Sequence, residues 1–110
     1  MQLSEVEPPL LVVTTVGSAE DARRLARALV ELELAACAQV EAIDSVYRWH
    51  GVIESASEYR VLFKTVPARY ARVEAAIRER HPYQLPAIHA IASSHAEAAY
   101  ARWVAENAGG

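Results

Sequence analysis

Residues 38–65 read AQVEAIDSVYRWHGVIESASEYRVLFKT. In the second half, Tyr59, Val61, Phe63 and Thr65 alternate with Arg60, Leu62 and Lys64, the two-residue period of a strand with unlike faces. In the first half, Ile43, Tyr47 and Trp49 share one parity, while Asp44 and Arg48 take the other. His50-Gly51 is the strongest turn signal between them. The stretch predicts one long hairpin, with strands near 38–49 and 52–65.

Elements on either side of the hairpin complete a pattern. Upstream, Leu10 to Val16 is a continuous, β-branched run, as expected of a strand buried on both faces. Gly17-Ser18 breaks it. Ser18 is placed to cap a helix, and Glu20 and Asp21 complement the helix dipole in its first turn. Ala22, Leu25, Ala26, Leu29 and Leu32 then recur at helical spacing, predicting a helix over 19–34. Downstream, Pro67 suits a first helical position, and Tyr70, Val73, Ile77 and Arg80 form one face of a helix that ends at His81, before Pro82. Ile88 to Ala92 reads as a short strand. A last helix, near 96–107, carries Ala99, Tyr100, Trp103 and Val104 on one stripe.

The order is therefore βαββαβ plus a C-terminal helix. With right-handed crossovers this is an α+β, ferredoxin-like sandwich, a four-stranded antiparallel sheet with two helices on one face. Residues 1–9 read as a loose tail, because Pro8-Pro9 suits neither a helix nor a central strand, and residues 10–110 as one domain. The hairpin is too long for such a sheet. Strands of this length at ~3.3 Å per residue reach about 40 Å, whereas a compact chain of this size is roughly 35 Å across. The tip must bend back or project, and a projecting tip would bare Val46, Tyr47, Trp49 and Val52 with open strand edges. Pairing with another copy removes both problems, so the residues predict a homo-oligomer built by sheet extension.

Composition excludes several classes. Lys+Arg is 11 against 14 Asp+Glu, a net charge of −3, which argues against a nucleic-acid partner. No apolar run approaches a membrane span, so no membrane partner is expected. The acidic first nine residues lack the apolar core of a signal peptide, and Cys37, the single cysteine, excludes an internal disulfide or a Cys-pair zinc site. A cytoplasmic setting is the expectation. There is no Ser-His-Asp order and no glycine-rich phosphate cradle. An acylphosphatase-like site would need Arg and Asn near the first strand–helix turn, which Val16-Gly17-Ser18-Ala19 does not offer. No enzymatic activity is expected.

The residues left to carry chemistry are few. Cys37 reads either as a small buried hydrophobe or as a soft ligand lacking nearby partners. His50, His89 and His95 read as surface positions, and no two histidines share a helical ligand spacing. His81 stands at a helix C-terminus, where the dipole favours the imidazolium, and opens a rigid loop. It reads as a cap on the last carbonyls or as a ligand contact. Tyr83, between two prolines, walls a cleft or anchors the loop. Tyr47 and Trp49 read as interface packing, and Glu54, Glu58 and Lys64 as a solvated ladder.

Five segments, in order, resemble the CutA family, the divalent-cation tolerance proteins. Leu34-Ala35-Ala36-Cys37 is similar to the family's motif after the first helix, and Ser45-Val46-Tyr47-Arg48-Trp49-His50-Gly51 to its S-x-Y-x-W-x-G hairpin. Glu58 through Lys64-Thr65 resembles its second hairpin strand, His81-Pro82-Tyr83-Gln84-Leu85-Pro86 its H-P-Y-x-x-P loop, and Tyr100 with Trp103 its Y-x-x-W helix. The resemblance implies a tight homotrimer whose long hairpins cross subunit boundaries, with Tyr47, Trp49 and Trp103 at the interface. It implies binding of copper(II) or another divalent cation in metal tolerance, without catalysis and without an organic cofactor. It makes Cys37 and His81 the metal-contacting positions. Ala87 departs from the pattern, since many members carry an acidic residue after the second proline. A weak or composite intersubunit site is then expected, completed by imidazole, other N/O donors and water. The family also resembles trimeric PII-type signal transducers. That supports a second expectation, a signalling or scaffold module with intersubunit clefts lined by Trp49, Lys64 and Tyr83.

Overall fold

A computed structural model describes residues 6–109; residues 1–5 of the expected tail lie outside the described residues. The elements are β1 (Leu10–Val16), α1 (Ala19–Glu31), β2 (Cys37–Trp49), β3 (Val52–Thr65), a 3₁₀ turn (Pro67–Arg69), α2 (Tyr70–Arg80), β4 (Ile88–Ala92) and α3 (Ala98–Asn107). They form one antiparallel sheet in the order β2-β3-β1-β4. This is the ferredoxin-like sandwich with a C-terminal helix. Pro9 is buried, and its carbonyl accepts from the Ser93 amide at 3.3 Å, so regular contacts begin one residue before β1.

One face of the sheet carries the core. Val12 and Val16 of β1 and Val61 and Phe63 of β3 pack against Ala22, Leu25 and Leu29 of α1 and against Val73, Ala76 and Ile77 of α2. The alternation read in β3 is the cause: Val61, Phe63 and Thr65 point to the helices and are buried, while Lys64 and Leu62 point the other way. Burying a side chain the size of Phe63 stabilises the fold by about 1.5–3 kcal/mol. The buried Thr65 hydroxyl donates to the Leu34 carbonyl at 2.7 Å and fixes the chain entering β2.

Three helix readings are corrected. Helix α1 stops at Glu31 rather than 34. The Glu33 amide bonds the Val30 carbonyl, and the Leu34 amide bonds the Leu29 carbonyl. This is a Schellman closure with Glu33 at φ 59°. Its apolar contact, Leu29 with Leu34, belongs to the core. In α2 the buried face uses Ala76 rather than Arg80, which is exposed. Helix α3 starts at Ala98 because Glu97 caps it, its carboxylate accepting from the Ala99 and Tyr100 amides at 3.1 and 2.8 Å. Of the expected α3 stripe only Val104 is buried, and the unexpected Ala101 is buried with it, while Ala99 is exposed and Tyr100 and Trp103 stack on each other in the open.

The hairpin projects. Val16 pairs with Tyr59, so β1 ends there, while β3 runs back to Val52 with only β2 beside it. The molecule is 54 Å long but 26 and 21 Å across, with a radius of gyration of 15.0 Å; a compact chain of this length would have about 13 Å. His50 and Gly51, both at positive φ, make the tip turn. Val46, Tyr47, Trp49, Val52 and Ile53 are exposed along it.

Candidate functional site

The polar residues that the chain does bring together lie where β1 ends and α1 begins. Thr14 points into the helix-side core, and α2 delivers His81 beside it. His81 Nε2 lies 2.9 Å from the Thr15 carbonyl and 3.1 Å from the Thr14 hydroxyl. A carbonyl only accepts, so Nε2 carries the proton and donates. Nδ1 then accepts from the Tyr83 amide at 3.1 Å. The two bonds have opposite polarity, and together they specify a neutral ring in one tautomer. Burial pushes the His81 pKa below its ordinary value, against the pull of the Thr15 carbonyl, Asp21 and Glu58. The expected imidazolium cap is thus corrected. The ring crosses to β1 rather than bonding the last carbonyls of α2, and desolvation outweighs the helix dipole.

This ring holds the loop that follows. Tyr83 stands 4.9 Å from it, centroid to centroid, and its hydroxyl donates to Glu58 on β3 at 2.9 Å. Burial, and then the Glu58 carboxylate, push the Tyr83 hydroxyl up to about 12. Gly17 makes room: a Cβ there would sit 3.2 Å from the Tyr83 oxygen. Tyr83 therefore anchors the proline-bracketed loop to two strands. Sequence reasoning put Glu58 in a solvated ladder and missed Thr14 and Thr15. Their partners are about 25 and 66 residues away in the chain, and only the doubled prolines of the loop hint that it is held.

Cys37 and Lys64 occupy a different place. They are register partners at the base of the hairpin. Lys64 alternates with the core residue Phe63, so this pair lies on the sheet face away from α1 and α2. Cys37 is half-buried there. The Lys64 ammonium stands 5.4 Å from the centre of the Tyr100 ring, a cation–π approach. Tyr100 raises the Lys64 pKa, offset in part by desolvation.

The expected groupings do not form within the chain. His81 joins Thr14 on the helix side of the sheet and Cys37 lies on the other side, so the two expected metal contacts do not meet. Both His81 nitrogens are already engaged, which leaves no lone pair free for a metal. Among the described residues no three His, Cys, Asp or Glu side chains gather as a metal site. Trp49, edge-on to His50 at the hairpin tip, is about 40 Å from Lys64 along a ladder of ~3.3 Å steps. Tyr83 lies between them, so Trp49, Lys64 and Tyr83 form no cleft in one copy.

Comparison with known proteins agrees with the geometry. Residues 10–107 match the family model described as CutA1 divalent ion tolerance protein. A divalent-cation tolerance protein CutA from Thermus thermophilus is 37% identical over 90% of this chain and 97% of its own length. Two solved structures superpose closely. The periplasmic divalent cation tolerance protein CutA of Archaeoglobus fulgidus gives a TM-score of 0.88 at 32% identity, over 91% of this chain and 98% of that one. The PII-like protein CutA of Nostoc sp. PCC 7120, in apo form, gives 0.85 at 28% identity, over 90% and 96%.

Proposed function

The chain belongs to the CutA1 family of divalent ion tolerance proteins, and on that premise we propose that it acts as a homotrimeric, non-catalytic protein that binds copper(II) or another divalent cation in metal tolerance. The observation that carries the assembly is the outer half of the hairpin. It is a two-stranded ribbon with apolar residues on its surface, and among the described residues no other strand pairs with it. An isolated two-stranded ribbon is marginal in water. Neighbouring copies supply the missing contacts, with Tyr47, Trp49 and Trp103 as the apolar anchors.

The residues of a single copy do not fit a metal by themselves. Metal binding is therefore assigned to the assembly, as a composite site that includes Cys37 from the open sheet face. His81 joins it only by giving up a bond to Thr15 or Tyr83. Such a site is weak, and Ala87 adds no carboxylate to it. Titration of the untagged protein with Cu(II) and Zn(II) by calorimetry tests this, beside Cys37→Ser and His81→Ala. Saturable Cu(II) binding, lost in Cys37→Ser, supports the reading. Binding that neither substitution changes removes both residues from the site, and no heat above background removes the metal.

A second reading has one observation in its favour: Trp49, Lys64 and Tyr83 are spread along the length of the chain, as residues shared between subunits would be. In a trimer they line intersubunit clefts for a small ligand or a partner protein, in the manner that the name PII-like suggests for the Nostoc relative. A thermal-shift screen of metabolites reads it out, because a ligand of the native form raises the melting temperature. The domain is taken as residues 10–110. A cytoplasmic setting is proposed on the single thiol, which forms no disulfide within the chain. Cell fractionation decides it, since the Archaeoglobus relative is described as periplasmic.

A further inference from the structure

Behind the anchored loop, on the helix side, the chain has a cavity of about 240 Å³. Val16, Leu25, Ala28 and Pro82 give it an apolar floor, and Asp21, Arg24 and Arg80 stand around it. None of these residues belongs to the hairpin or to α3, on which the proposed assembly rests, so a neighbouring copy is not the expected occupant. The cavity is smaller than the roughly 300–1,000 Å³ of drug-sized pockets. It suits a free small molecule rather than a peptide or a domain.

The charges on its rim are of both signs and are incompletely satisfied. One Asp21 carboxylate oxygen pairs with Arg24, and the other makes no hydrogen bond among the described residues. Arg80 donates through Nη1 to the Ala76 carbonyl at 3.0 Å and to Glu79 at 3.2 Å. Its Nη2 and Nε make no hydrogen bond among the described residues. A carboxylate acceptor and a guanidinium donor thus flank an apolar floor. An inorganic anion would meet the Asp21 carboxylate and gain nothing from the floor. A simple cation would meet two arginines. A zwitterion with an apolar tail satisfies every part of the rim.

We propose that this cavity binds a free α-amino acid with an apolar side chain. The ligand's carboxylate takes the open edge of Arg80, its ammonium takes the open oxygen of Asp21, and its side chain lies on Val16, Leu25 and Pro82. Charge-assisted bonds of this kind are about twice as strong as neutral ones and set the orientation. Arg80 immediately precedes His81 and Pro82 follows it, so the ligand sits directly against the anchored loop. The inference is independent of metal binding and of the intersubunit clefts.

The test is a titration of the intact, isotopically labelled protein with L-leucine, followed by amide chemical shifts. The expected result is saturable shifts confined to residues 16–28 and 80–82. N-acetyl-L-leucine, which lacks the ammonium, and L-leucinamide, which lacks the carboxylate, should each bind about tenfold more weakly or worse. Asp21→Asn should weaken L-leucine and abolish its advantage over N-acetyl-L-leucine; Arg80→Gln should do the same for L-leucinamide. Arg80 is exposed and Asp21 half-buried, and the analogue series on the unaltered protein stands without either substitution. The proposal is overturned by the absence of saturable shifts up to about 20 mM, well above a millimolar dissociation constant. Binding of either blocked analogue as tight as that of L-leucine, or equal shifts with inorganic phosphate, also overturns it.

Discussion

The two halves of the long hairpin are built from the same kinds of residue and face opposite problems. In the inner half, β3 lies between β2 and β1, and its alternate residues, Val61, Phe63 and Thr65, are buried under two helices. In the outer half, among the described residues, the same two strands continue with no third strand beside them, and Val46, Tyr47, Trp49, Val52 and Ile53 stand open. The inner half is stabilised by its own chain. The outer half is a strand pair that, in the proposed assembly, another copy covers. Local pattern makes a strand in both places, and what separates them is the supply of partners. A residue's contribution therefore has to be read against the copy that covers it.

Substitutions sort by half. The largest effect is expected from Phe63→Ala, which opens a void in the core between the sheet and the helices α1 and α2. It should cost about 3–5 kcal/mol in urea unfolding. That loss should appear at every protein concentration, because the contacts are internal. Trp49→Ala should leave the inner half folded and weaken assembly by about 2 kcal/mol, or roughly thirtyfold in dissociation constant. On dilution it should dissociate at concentrations where the unaltered protein stays assembled. Unchanged assembly would put Trp49 at the periphery and make the halves more alike than argued here.

Smaller effects are expected at the anchor that ties the proline-bracketed loop to β1 and β3. His81→Gln removes the ring that bridges Thr15 and Tyr83 and should cost about 1–3 kcal/mol. The pH dependence has a definite sign. Burial holds the His81 pKa in the folded chain below its ordinary value of 6.5. The unfolded chain therefore takes up the proton first as pH falls. The stabilisation by the neutral ring is complete above 6.5 and is lost as pH falls through the folded value. As pH falls below 6.5, the melting temperature of the unaltered protein should fall more steeply than that of His81→Gln. Parallel curves would mean that His81 does not titrate in this way. The smallest effect is expected for Tyr83→Phe, which deletes only the bond to Glu58 and should cost about 0.5–1.5 kcal/mol.

The fold was legible because it rests on short-range signals. Alternation in residues 59–65, the Ser18 cap with its acidic turn, and Pro67 ahead of a helix each act within a few residues, and the strand order follows from their sequence. Length also carries information: a hairpin longer than the domain must bend back or project, and this one projects. What could not be read depends on distance or on exception. The end of α1 uses Glu33 in a left-handed conformation that glycine usually takes. The division of the α3 stripe depends on which side of the helix meets the rest of the fold. At the site, His81 and Tyr83 were visible as candidates from the loop, but their partners Thr14, Thr15 and Glu58 carry no local mark. The polarity of the His81 ring needed the Thr15 carbonyl, which belongs to a strand remote in sequence. Cys37 and His81 could be paired by resemblance, whereas the sheet that separates them is a property of register.

The contrast between the halves is tested most directly by the mass of the untagged protein in solution, measured by sedimentation at micromolar concentration. With a chain mass of 12.1 kDa, the account predicts a single species of three chains that persists on dilution. A stable 12.1 kDa monomer, folded and soluble with its hairpin uncovered, would contradict it.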